Sequence, residues 1–150
     1  MLGAIEAAVK ISGEYRGYGT IDTVTKEGDE GYERFARLAM QLALQAQEVD
    51  PTDPHPLVLG QGPTRIFDRE KALEWAELWQ DIDLWNYGGW YMLITLLDSR
   101  WLGTENDLKN LAHHLAVGAL EGSPALALSM VALGQPPSLT GGLENYHISR

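Results

Sequence analysis

The amino-acid sequence predicts an all-α fold of about six helices, arranged as antiparallel hairpins. Three observations carry that reading. Asp68 to Leu97 holds two helix-length segments about a break at Asp81-Ile82-Asp83. In the second segment Trp90, Leu93, Ile94 and Leu97 recur at i, i+3, i+4 and i+7, an apolar face wide enough to be buried. Helix stop and start signals punctuate the chain at Asp50-Pro51, Gly122 and Ser123-Pro124. The alternating stretch Ile21 to Thr25 has no neighbouring run to pair with and reads as extended loop.

Leu2 to Ile11 predicts a short helix with Leu2, Ile5 and Val9 on one face, stopped by the glycine-rich run Ser12 to Thr20. Thr25 or Asp29 caps the next helix, where Glu27, Asp29 and Glu30 suit the positive end of the helix dipole. Phe35, Leu38, Ala39, Leu42, Ala46 and Val49 then keep a helical period. Asp50 to Pro56 ends it, because each proline disfavours helical geometry in the residue before it. Leu57-Val58-Leu59 is too short to assign, and Gly60-Gln61-Gly62-Pro63 reads as a loop. In the first helix of the hairpin Ala72, Trp75 and Trp79 form one stripe beside Leu73, Ala76 and Gln80. Ser99 to Gly103 turns the chain. Thr104 with Asp107 resembles a capping box, opening a helix through Leu108, Leu111, Ala112, Leu115 and Ala119 that Gly122 closes. Ser123 and Pro124 supply the N-cap and first helical residue of a short apolar helix, Ala125 to Leu133. Residues 1–134 are thus expected to form a single helical domain, and 135–150, which lack any period, an irregular C-terminal tail.

The 150 residues suffice for one domain with a proper core. With 45% hydrophobic and 21% charged residues the composition is that of a globular chain. The formal net charge of -10 argues against sequence-independent binding of nucleic acid or of an anionic membrane, because both need surface Lys and Arg. It favours a basic protein partner. Cysteine is absent, which removes thiol chemistry and accords with a reducing cytoplasm. The start, Met1 to Lys10, carries Glu6 among its apolar residues and no basic leader, which reads against a signal peptide. No apolar run approaches the ~18 residues of a membrane span.

Acidic breaks at Asp50, Asp83 and Glu121 lie about 33 and then about 38 residues apart. Each follows an apolar helix and precedes, by about seven positions, an apolar residue: Leu57, Trp90 and Leu128. Helix pairs at that period are the pattern of a solenoid whose units bury their faces against neighbours. Ala43 to Pro51 resembles the end of a tetratricopeptide repeat's second helix with its Asp-Pro stop, and Trp90 to Leu97 resembles the first helix of the next repeat. The succession of Arg16-Gly17, Asp50-Pro51-Thr52-Asp53-Pro54 and Arg100-Trp101-Leu102-Gly103 is similar to an uncharacterised bacterial family of tetratricopeptide-like proteins, over Glu14 to Gly134. The resemblance implies a short stacked array that binds proteins or peptides, and it implies no catalytic residues. Gly60 to Pro63 and Gly88-Gly89 depart from the repeat pattern, the latter where a helix former is expected.

Side chains suited to chemistry are sparse. His113 and His114 are adjacent on one helix and point about 100° apart, unlike the i, i+4 pair that shares a metal, so no metal or other cofactor is expected. There is no Gly-x-Ser-x-Gly elbow, and Glu70, Glu74, Glu77 and Asp81 follow helical spacing as a solvated ridge. Gly60 to Thr64 lacks the lysine of a nucleotide loop. An enzyme is therefore not expected, and a hydrolase is the weakest alternative.

All five tryptophans fall between Trp75 and Trp101, with Tyr87 and Tyr91 among them. Aromatic side chains anchor peptides well because they bring large area at small rotamer cost. The candidate partner surface is accordingly Trp75, Trp79, Trp85, Tyr87, Trp90, Tyr91, Arg100 and Trp101, with Trp85 and Trp101, at hairpin ends, the exposed tryptophans. The expected role is a cytoplasmic, non-enzymatic adaptor with an acidic surface and an aromatic-lined groove. Its alternatives are an immunity protein that neutralises a basic toxin, and a structural protein whose aromatic ridge pairs with its own copy in a homo-oligomer.

Overall fold

The computed structural model describes residues 1–104 and 106–134 of the chain, so the tail expected at 135–150 lies outside the described residues. Among them the fold is all-α, with seven helices: α1 (Leu2–Arg16), α2 (Lys26–Val49), α3 (His55–Gln61), α4 (Arg69–Gln80), α5 (Tyr87–Leu96), α6 (Asp107–Gly118) and α7 (Pro124–Leu133). Local side chains start most of them. Thr25 accepts from the Gly28 amide at 3.0 Å, Asp68 from Lys71 at 2.8 Å and Asn86 from Gly89 at 2.9 Å, each satisfying an orphan donor of a first turn. Ser123 caps α7 as its Ser-Pro pair predicts. The Thr104 amide and hydroxyl both donate to the Asp107 carboxylate, although the N-cap of α6 is Asn106.

Four assignments differ from those the sequence predicts. α1 continues past Gly13 because the Ser12 hydroxyl donates to the Tyr32 carbonyl of α2 at 2.9 Å and the Tyr15 ring stacks 5.6 Å from Phe35. It stops at Gly17, whose φ of 67° suits glycine alone. Ile21–Thr23 is a single 3-10 turn closed on the Thr20 carbonyl and not an extended loop. Leu57 to Gln61 is the body of α3, followed by a 3-10 turn over Gly62–Ile66 where a loop is expected. α3 is too short to show a period, and burial of Leu57 in the core supplies its stability. α6 ends at Gly118, ahead of Gly122.

Most helices consecutive in the chain pack on one another, α5 and α6 being the exception. α1 packs on α2, α2 on α3, α3 on α4, α4 on α5 and α6 on α7, while contacts of α1 with α3, α3 with α5 and α5 with α7 line the odd-numbered helices in one row. Leu57, Trp90 and Leu128, each following an acidic break, are buried members of that row. One connected cluster of buried side chains extends from Ile5 to Ala132. The bidentate pair of Arg69 with Asp107, 2.6 Å at its shorter contact, ties the start of α4 to the start of α6.

The buried face of α2 is not the one its larger residues mark. Ala36, Ala39, Met40, Ala43 and Ala46 are buried, whereas Leu38 is 39% and Val49 77% exposed. Small residues let the neighbouring helices approach closely, so the alanines, among them the expected Ala39 and Ala46, face the core and Leu42 packs at its edge. The two glycines that break the repeat pattern have the same cause. A Cβ on Gly60 would lie 2.6 Å from the Trp75 ring, and one on Gly89 2.7 Å from the Trp79 ring. Each glycine is the socket of a tryptophan.

Candidate functional site

Trp75, Trp79 and Trp90 belong to the scaffold, at 4%, 0% and 3% exposure. Their indole N–H groups are also spent inward: Trp75 donates to the Leu57 carbonyl at 2.6 Å, Trp90 to the Leu84 carbonyl at 2.7 Å and Trp79 to the Gln61 side chain. This corrects their place on a partner surface, since neither ring nor donor is available. Trp85 is half-buried, stacked 6.2 Å from Trp90 and tilted against the His114 ring at 6.0 Å, so it covers the core edge and is no counterpart of Trp101. Tyr87 and Tyr91, one turn apart on α5, are exposed and stack at 6.4 Å. Arg100 and Trp101 are exposed on the α5–α6 connection. The expected continuous aromatic groove is therefore dispersed into core, rim and surface.

Trp101 lines a cleft of about 880 Å³ whose other walls come from the end of α1, the start of α2, the 3-10 turn after α3 and the α5–α6 connection. The cleft collects Arg16, Lys26, Arg65 and Arg100 against a single lining acid, Asp29. That reverses the balance of a chain with 11 basic and 21 acidic residues. An apolar slot of about 210 Å³ adjoins it, sharing Tyr32, Arg65 and Trp101 and lined further by Val9, Pro63, Met92 and Leu96.

Arg65 is the best-positioned of the cations. It follows Thr64, fully buried, whose hydroxyl donates to the Gln61 carbonyl at 2.6 Å. Gln61, equally buried, donates from its amide nitrogen to the Ala72 carbonyl at 3.0 Å and accepts from the Trp79 indole. The turn bearing Arg65 is thereby tied to the core. Its Nε donates to the Tyr32 hydroxyl at 2.8 Å, and its guanidinium lies 5.0 Å from the Trp101 ring centre and 5.9 Å from that of Tyr32, within cation–π range. No described carboxylate pairs with it.

The other cations are held differently. Arg16 donates from Nη1 to the Gly19 carbonyl at 2.9 Å and likewise pairs with no described acid. Lys26 has only a loose 3.8 Å contact with Glu30, and both are mostly exposed, so the pair stabilises little. Arg100 grips Asp98 through Nε and Nη2, both at 2.7 Å. That grip holds the Asp98 carboxyl below the usual carboxylate range despite its burial, and raises Arg100 above its ordinary value. The Asp98 carbonyl accepts from the amides of Trp101 at 2.9 Å and Gly103 at 3.3 Å, so the same residue shapes the turn that presents Trp101.

Chemically, the arrangement can hold an anion: one arginine bonded to Tyr32 over the Trp101 ring, Arg16 lining the same cleft, and apolar space adjoining. Among the described residues no three His, Asp or Glu side chains group as metal ligands, and His113 and His114 are both exposed. Of the cleft residues, Arg100 and Trp101 are legible in the sequence, while Arg16, Lys26, Tyr32 and Arg65 are not put forward there. A faint signal exists for one: Arg16 sits between tyrosines in Tyr15-Arg16-Gly17-Tyr18, a cation beside aromatics as in Arg100-Trp101. No family profile, curated protein or solved structure matches the chain.

Proposed function

We propose that this chain is a non-enzymatic protein- or peptide-binding module, a short tetratricopeptide-like array whose recognition site is the cleft lined by Arg65 and Trp101. The observation that carries the reading is the concentration of cations and exposed aromatic surface at one place on an acidic chain. Exposed Trp and Arg are the side chains on which binding energy concentrates at protein interfaces. The array reading draws on the packing of α1 to α5 in chain order and of α6 on α7, and on the buried Leu57, Trp90 and Leu128 after each acidic break. A cytoplasmic setting belongs to the same reading. It fits a cysteine-free chain in which, among the described residues, no helix is long and apolar enough to cross a membrane.

Affinity capture with the wild-type chain and with an R65E/W101A double variant tests the module. A partner retained by the wild type and lost by the variant is the expected result; retention by both would move the interface elsewhere. One observation favours self-association as a second reading. The stacked Tyr87–Tyr91 pair is exposed, with Leu84 also 47% exposed beside it in sequence. Light scattering of the wild type and of Y87S/Y91S decides that point, a fall from dimer to monomer mass being the outcome in its favour.

A further inference from the structure

We infer that the ligand of the cleft is an acidic segment of a partner protein, one that carries an apolar side chain next to a carboxylate. The inference rests on the binding-module reading and names the chemistry of what is bound. A partner selected by the net charge of -10 would be basic. The cleft selects the opposite sign, because Arg65 and Arg16 line it with no described carboxylate paired to either, whereas Arg100 is held by Asp98 and Lys26 loosely by Glu30.

Three features narrow the ligand from any anion to this class. The first is the geometry of Arg65. Its Nε is committed to the Tyr32 hydroxyl and its Cζ lies 5.0 Å from the Trp101 ring centre, which leaves both Nη groups as a fork held at two points. A fork matches a carboxylate in bidentate fashion, and a guanidinium already held in place loses little freedom on binding. The second is the slot of about 210 Å³ that shares Arg65 and Trp101 with the cleft. An anion on Arg65 has apolar walls directly beside it, which reward a neighbouring aliphatic or aromatic side chain and give nothing to a bare ion. The third is size. The cleft, at about 880 Å³, has room for several residues, and Arg16 offers a second cation for a second acid of the same segment. The repulsion of the acidic exterior is screened beyond roughly 10 Å at 0.1 M salt, so contacts inside the cleft decide the affinity.

Calorimetric titration of the whole chain tests the inference with four probes: a short peptide with alternating Glu and Leu, its analogue with Gln for each Glu, a Lys-Leu peptide, and 3-phenylpropionate. The Glu-Leu peptide is expected to bind at least about tenfold more tightly than the Gln analogue. It should lose most of that advantage with Arg65→Gln and regain only part with Arg65→Lys, which restores charge without the fork. Thermal melts of both variants, expected unchanged, separate this from unfolding. Equal binding of the Glu and Gln peptides, or Arg65→Gln leaving the Glu peptide's affinity intact, overturns the inference. Preferential binding of the Lys-Leu peptide overturns it while leaving a binding module. Binding of 3-phenylpropionate alone, lost with Arg65→Gln, keeps the carboxylate chemistry of the cleft and removes the peptide partner. Silence from all four removes both.

Discussion

Trp79 is enclosed among α3, α4 and α5, with its indole N–H on Gln61 and its ring against the bare backbone of Gly89. Trp101 stands 47% exposed on the connection between α5 and α6, with an arginine over its face. Both occur at hairpin helices or their ends, and both count equally in any tally of aromatic residues. What separates them is the company that the fold brings from elsewhere. A buried tryptophan needs an acceptor for its N–H and a place for a large ring, and α3 and α5 provide Gln61 and Gly89 for Trp79. An exposed tryptophan that binds needs a partner to hold it at an angle, and Asp98 and Arg65 do so for Trp101. The two regions are also joined, since Gln61 supports Trp79 on one side and, through Thr64, the turn of Arg65 on the other.

The sharpest way to break this contrast is to remove Trp79. Trp79→Ala empties a large, fully buried volume and orphans the Gln61 acceptor, with an expected cost of about 3–5 kcal/mol in urea unfolding. A cost below about 1 kcal/mol would mean that the ring is not part of the scaffold. Gln61→Leu keeps volume but strands the Trp79 donor, at an expected ~1–3 kcal/mol. Thr64 bonds the main-chain carbonyl of residue 61, which leucine keeps, so ligand binding at Arg65 should be unchanged in the same variant, which melts and titrations on one sample can compare. Gly89→Ala places a methyl group 2.7 Å from the Trp79 ring and costs about 1–3 kcal/mol by overpacking, although alanine is the better helix former. An increase in stability would show that the socket is loose.

That last reversal also explains how much could be read from the chain alone. The helix pair α4–α5 and the buried face of Trp90, Leu93, Ile94 and Leu97 follow directly from spacing, because their burial is periodic and their caps are local. Gly60 and Gly89 read as faults in a helical pattern because the ring each accommodates lies on another helix. α2 misleads for a related reason: larger residues dominate a hydrophobic pattern, yet close helix contact selects the alanines. The cleft is less legible still. Arg16, Lys26, Arg65 and Arg100 are widely separated in a chain dominated by acids, so no window of sequence shows a basic patch.

Acid provides a smaller perturbation. Asp107 is held below the usual carboxylate range chiefly by the Arg69 guanidinium, and Asp98 chiefly by that of Arg100. Each folded-state value is depressed, so their contribution is complete above the unfolded value near about 3.9 and is lost as pH falls through the lower folded one. Total stability over this range also reflects the change in net charge of a chain with 21 acidic residues. The readable quantity is therefore a difference: between pH of about 5 and about 3, Asp107→Asn should lose less stability than the wild type. Equal losses would place the Arg69–Asp107 link outside the folding balance.

The smallest expected effect is also the most discriminating. Trp101→Ala should change unfolding stability by no more than about 0.5 kcal/mol, because the ring leaves no enclosed void and its removal strands no hydrogen-bond donor that the fold had satisfied. Yet it takes away the surface on which the Arg65 guanidinium lies, leaving that arginine fixed only through Nε on Tyr32. Titration of the Glu-Leu peptide should then show weaker binding by a protein that melts at the wild-type temperature. A variant that bound as well as it melted would show Arg65 to be held by Tyr32 alone, with Trp101 no more than an exposed ring. A variant that melted early would put Trp101 with Trp79 in the scaffold and erase the contrast between them.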